Sequence, residues 1–130
     1  MAGMGEPRVT ISSHPDRILL AAAGLLGATG VATAAAASHG GSANLAIAAN
    51  FLLVHAPVMI GLSLMPSGRI IRTAGSLLAL GLLLFAGDLA MRDLYGRALF
   101  PLAAPLGGFG LIGGWGLVTI AALVGWRRPG

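Results

Sequence analysis

Cysteine and lysine are both missing from this chain. Without a thiol there is no disulfide, no thiolate metal site and no thiol nucleophile. No Gly-rich loop is followed by a lysine to cradle a phosphate, no glutamate sits between histidines at metal spacing, and no serine has the surroundings of a nucleophile elbow. Carboxylates are scarce: beyond the N-terminal stretch only Asp88 and Asp93 remain, too little material for paired general acid and base catalysis. We therefore expect no catalytic residue, no metal site, no cofactor and no enzyme. Charge in general is thin, at 9% of residues, where an ordinary soluble domain carries about 25%. What fills the space is apolar: 56% hydrophobic side chains over 130 residues, with a mean hydropathy of +0.88.

Those apolar residues fall into long runs. A transmembrane helix needs roughly 20 mostly apolar residues to cross a hydrocarbon layer about 30 Å thick. Four such runs fit without overlap, at 18–37, 44–65, 70–91 and 105–126, and Asp88 is the formally charged residue well inside one of them. The predicted architecture is an all-α polytopic membrane protein, a four-helix transmembrane bundle over residues 17–128 preceded by a tail at 1–16. The tail is rich in Gly, Pro, Ser and His and reads as cytoplasmic. A basic start, an apolar run and Ala34 to Ala37 resemble a secretory signal. The run is longer than the roughly 7–15 residues of a signal core, so we expect a retained first span.

The arginines orient the bundle. An even number of spans puts both termini on one side, together with Arg8, Arg17, Arg69, Arg72, Arg127 and Arg128, and leaves Arg92 and Arg97 opposite, partly offset by Asp93. By the positive-inside rule the termini are expected in the cytoplasm. The net charge of +4 and pI near 11.5 do not point to nucleic acid, because the basic residues are spread over span edges and tails instead of clustering. Trp126 beside Arg127 and Arg128 reads as an interfacial anchor. Trp115 lies mid-span, where its indole N–H needs a partner inside the bundle.

The chain has 21 glycines. Helices in lipid associate through close van der Waals contact, which small residues permit. Gly24, Gly27 and Gly30 in the first span and Gly107, Gly110 and Gly114 in the fourth recur at spacings of three and four, giving these two helices flat faces for packing within the bundle or against a partner. Gly75, Gly81 and Gly87 recur every six residues and so point around the third helix without defining a face. Pro66, Pro101 and Pro105 mark span boundaries. Pro57 lies inside the second span, where it should free the Leu53 carbonyl and kink the helix beside His55.

Several elements occur together in one order: Ala36-Ala37-Ser38-His39-Gly40, His55-Ala56, Gly81 to Gly87 with its Phe85-Ala86-Gly87, Ala104-Pro105-Leu106-Gly107-Gly108, and Gly113-Gly114-Trp115. This series resembles the family of small four-helix membrane proteins of unknown function that includes bacterial YgdD, over about residues 17–126. The resemblance implies a multi-pass protein of the bacterial inner membrane with no established activity. The chain departs from the family pattern at Phe51-Leu52, where a Tyr-Gln pair is usual, and at Ala86-Gly87-Asp88, where Ser-Gly-Ser is usual.

Candidate polar chemistry rests on His39, His55, Asp88 and Arg92, since ionisable groups in spans are costly and tend to face the bundle interior or a cavity. Asp88 and His39 belong near the outer end, whereas His55 lies roughly 16 Å into its span at 1.5 Å per residue, which argues against one metal centre using all three. Asp88 can pair with Arg92 one turn on, or serve as a proton relay or ligand. His39 precedes Gly40-Gly41 and can cap the first helix's carbonyls, or bind a ligand. His55 can bond a neighbouring helix, or take part in haem, quinone or proton chemistry. The leading expectation is a non-enzymatic accessory or scaffolding subunit, in contact with membrane lipids and associating with itself or with another membrane protein. A proton, small-molecule or lipid-handling protein with a polar cavity around His55 is the alternative, and quinone or haem binding for electron transfer a weaker one.

Overall fold

The computed structural model describes residues 3, 5, 14–66 and 68–126, with the backbone alone at Trp126. Arg8, Arg127, Arg128, the Trp126 side chain and most of the tail lie outside the described residues. The described chain is all-α, with four helices in order: α1 (Arg17–Gly40), α2 (Ala43–Leu64), α3 (Arg69–Tyr95) and α4 (Ala103–Trp126). Each is long and apolar enough to cross a membrane. α3 continues through Tyr95 instead of ending near Met91.

Local chemistry sets the helix ends. Asp16 in extended backbone accepts the Leu19 N–H at 3.0 Å and starts α1. Ser42 does the same for α2 through Leu45 N–H at 3.2 Å. Both are side-chain N-caps, satisfying a donor that has no helical partner. α1 and α3 stop at Gly41 (φ 69°) and Gly96 (φ 67°), whose left-handed backbone favours glycine. The Gly41 N–H takes the Ala37 carbonyl at 2.8 Å, and Ser38 Oγ donates to the Ala35 carbonyl at 2.8 Å. His39 is exposed in that last turn. Backbone and serine, not the imidazole, therefore make the described capping bonds at the end of α1.

α1 packs on α2, α2 on α3 and α3 on α4, while α1 touches α3 only lightly. Among the described residues no close backbone approach joins α1 to α4, so these helices form the two flanks of the bundle. The interior is built from Leu19, Ala23, Leu26, Leu52, Met59, Leu78, Leu82 and Leu111. Outward-facing hydroxyls bond their own helix, as when Thr29 Oγ1 donates to Leu25 O and Thr33 Oγ1 to Thr29 O, both at 2.7 Å. No open donor is then left facing hydrocarbon there.

Glycine fixes how near the helices come. Between α1 and α2, a Cβ on Gly27 would meet Ala56 Cβ at 3.4 Å, and one on Gly30 would meet Leu52 Cβ at 3.0 Å. Gly24, by contrast, has open space around it. Between α3 and α4 the backbones themselves touch. A Cβ on Gly107 would lie 2.6 Å from Phe85 N, one on Gly110 would lie 3.2 Å from Gly81 Cα, and one on Gly114 would lie 2.7 Å from Leu78 Cδ2. Gly81, which spacing alone left without a face, is the residue opposite Gly107 and Gly110: its Cβ would lie 2.8 Å from Gly107 O.

Candidate functional site

His55 and Asp88 are both buried inside the bundle, yet the structure does not bring them into one centre. Each has its own closed set of partners. His39 is exposed at the α1–α2 turn and joins neither. Among the described residues no group of three or more His, Asp or Glu is placed to hold a metal ion.

Around His55, α2, α3 and α4 each contribute an aromatic ring. The imidazole Nε2 accepts the Trp115 indole N–H at 3.3 Å. Its Nδ1 lies 2.7 Å from the Phe51 carbonyl one turn back. Indole nitrogen only donates and a backbone carbonyl only accepts. The proton of this imidazole therefore sits on Nδ1, and both ring nitrogens are engaged. Phe51 stacks on His55 with ring centroids 5.7 Å apart and meets Phe85 of α3 at 4.4 Å. Pro57 leaves α2 a single helix, and the imidazole takes the Phe51 carbonyl instead of the Leu53 carbonyl that the proline releases. Of the positions that depart from the Tyr-Gln and Ser-Gly-Ser pattern, Phe51 stands inside this aromatic cluster, whereas Asp88 has the separate partners Arg92 and Leu99.

Asp88, with no solvent-exposed surface, is held from two directions. Arg92 Nε donates to Oδ2 at 2.7 Å across one helical turn. The backbone N–H of Leu99, in the loop to α4, donates to Oδ1 at 2.8 Å. The carboxylate thereby fastens the α3–α4 connection onto α3, while the half-exposed Arg92 extends outward. In the same connection Leu102 adopts a left-handed backbone, φ 68°, unusual for a residue with a side chain. One turn beyond Asp88, Asp93 accepts a hydrogen bond from the Ser42 hydroxyl, which ties the α1–α2 turn to the end of α3. Among the described residues no buried side-chain nitrogen or oxygen lacks a partner.

The Asp88–Arg92 pair is readable from i, i+4 spacing. The demand of Trp115 for an interior partner follows from its mid-span position. That the partner is His55, and that Asp88 also holds Leu99, depends on the relative register of separate segments, which no local spacing encodes.

The geometry defines an all-α protein of four helices with membrane-spanning dimensions, in which every described buried polar side chain finds a hydrogen-bond partner within the chain. The family model for a protein of unknown function (DUF423) matches residues 18–108, from the start of α1 to the Gly107-Gly108 pair of α4. The chain belongs to that uncharacterised family. No curated protein and no solved structure matches it.

Proposed function

We propose that this protein is a non-enzymatic accessory or scaffolding subunit of a bacterial inner membrane, with both termini cytoplasmic, and that within its uncharacterised family it groups with the YgdD-like proteins. Its partner is another membrane protein or a second copy of itself. The observation that carries the reading is the outer face of α1. Ala21, Gly24, Ala28, Ala32 and Ala35 all lie exposed at helical spacing, and Gly24 has nothing within 4 Å. Small residues in such a row allow another helix to approach closely, the main source of helix association in lipid. This row is not consumed by the bundle's own packing, whereas Gly27 and Gly30 beside it are. The cavity and electron-transfer readings take second place because both nitrogens of His55 are occupied by groups of the chain itself.

The test is purification of the tagged, full-length protein in mild detergent, followed by identification of stoichiometric protein partners. Gly24→Leu adds bulk where the chain's own fold has room, so it is expected to leave the bundle folded and release the partner. A similar change on the outer face of α3, Leu83→Phe, is expected to retain it. Retention of the same partner by both variants would defeat the proposed α1 interface.

A further inference from the structure

At the end of the bundle that carries the start of α1 and α3, these two helices flank an open cleft of about 690 Å³. Its size falls within the roughly 300–1,000 Å³ typical of small-molecule sites. Its deep part is apolar, lined by Leu19, Ala22 and Ala79. Leu19 reaches α3 because Gly75 has no side chain: a Cβ there would sit 2.5 Å from Leu19 Cδ2. Ile18 and Leu80 at the mouth are 86% and 60% exposed, so the opening is framed by apolar side chains on the bundle's outer surface. At the polar end stand His14, Asp16 and Arg72. Asp16 uses Oδ1 to cap α1. Among the described residues the sole ion pair is Arg92–Asp88, so Asp16 and Arg72 line one cavity without pairing with each other.

We propose that this cleft is a binding site for a phospholipid whose headgroup carries both a phosphate and a primary ammonium. Arg72 and His14 face the phosphate, Asp16 accepts from the ammonium, and an acyl chain runs along Leu19, Ala22 and Ala79. A purely anionic lipid would set its charge against the Asp16 carboxylate. A quaternary ammonium would offer Asp16 no N–H donor. The apolar mouth selects a ligand arriving from the membrane over a free phosphate from water. The site lies between α1 and α3, around the helix from the assembly row, so loss of one leaves the other measurable.

Native mass spectrometry of the full-length protein, titrated with phosphatidylethanolamine, phosphatidylglycerol and phosphatidylcholine of identical acyl chains, tests the proposal. One bound phosphatidylethanolamine is expected to persist in preference to the other two. Asp16→Asn keeps a competent helix cap and is expected to abolish that preference in favour of phosphatidylglycerol. Arg72→Gln is expected to weaken retention of every phospholipid by about tenfold, the scale of one lost charge-assisted contact. Equal retention of the three lipids by the unaltered protein, or no change in either variant, would overturn the assignment. A photoreactive side chain at Leu80 supplies an independent readout. Adducts with phospholipid support the site, whereas adducts with residues 1–13 of the chain or with another polypeptide identify a different occupant and refute it.

Discussion

Replacing Gly107 with alanine should destabilise the bundle, although alanine is the better helix former. The neighbours that an added Cβ would meet are main-chain atoms of α3, Phe85 N at 2.6 Å and Gly81 O at 2.7 Å. Ordinary contact begins near 3.4 Å, so α4 would have to retreat from α3 by roughly 0.8 Å, and no side-chain rotation can relieve it. A gap of about 0.5–1 Å forfeits a quarter to a half of each van der Waals well along the interface. Overpacking of this kind costs about 1–3 kcal/mol, and a backbone obstacle belongs at the upper end. The helix-propensity gain of glycine to alanine offsets at most about 1 kcal/mol. A net loss of about 1–2 kcal/mol follows. Gly108 is the internal control, because nothing lies within 4 Å of the Cβ it would receive. There alanine should be neutral or stabilise by up to about 1 kcal/mol, leaving the two variants about 2–3 kcal/mol apart. Reversible unfolding in mixed micelles by titrated SDS, followed through tryptophan fluorescence and circular dichroism, measures the difference. Equal stability of Gly107→Ala and Gly108→Ala would refute direct backbone contact between α3 and α4.

The buried polar groups yield further expectations. A double-mutant cycle on His55→Phe and Trp115→Phe should return a coupling of about 0.6 kcal/mol and not above about 1.7 kcal/mol, the range of inter-helix hydrogen bonds in lipid. Nitrogen NMR of labelled histidine should find the His55 proton on Nδ1, and an Nε2–H tautomer would remove the Trp115 bond from the account. Arg92→Ala leaves the Asp88 carboxylate buried with the Leu99 amide as its described partner, so it should cost up to about 3–5 kcal/mol by thermal unfolding. Asp88→Ala should cost less, about 1.5–3 kcal/mol, because the half-exposed Arg92 can turn to water and headgroups. Hydrogen exchange at the Leu99 amide should accelerate in Asp88→Ala and little in Asp88→Asn, whose side-chain oxygen still accepts.

Most of the architecture is legible in the residues because membrane spans obey a length rule that needs no partner. Ile18 to Ala37 declares itself a helix wherever it packs, and Asp88 to Arg92 declares a pair by spacing alone. The limits arise where the outcome depends on two segments at once. Gly81 looked faceless among glycines six residues apart, yet it is the point where α4 comes nearest, because its value lies in matching Gly107 and Gly110 across the interface. Gly24 shares the periodicity of Gly27 and Gly30 but lies open, since α2 covers only one side of α1. His39 sits beside a helix terminus, and Gly41 two residues on supplies the cap. Leu99 carried no signal at all, because the group that binds Asp88 is its main-chain N–H.

The proposed role has the bundle satisfy its own interior and act through its outer α1 face. It is tested most directly by photo-crosslinking in intact membranes from a reactive side chain placed at Ala28, on the exposed row with Gly24. A discrete protein adduct that disappears when Gly24→Leu is introduced alongside is the expected result. Lipid adducts alone, unchanged by that substitution, would contradict it.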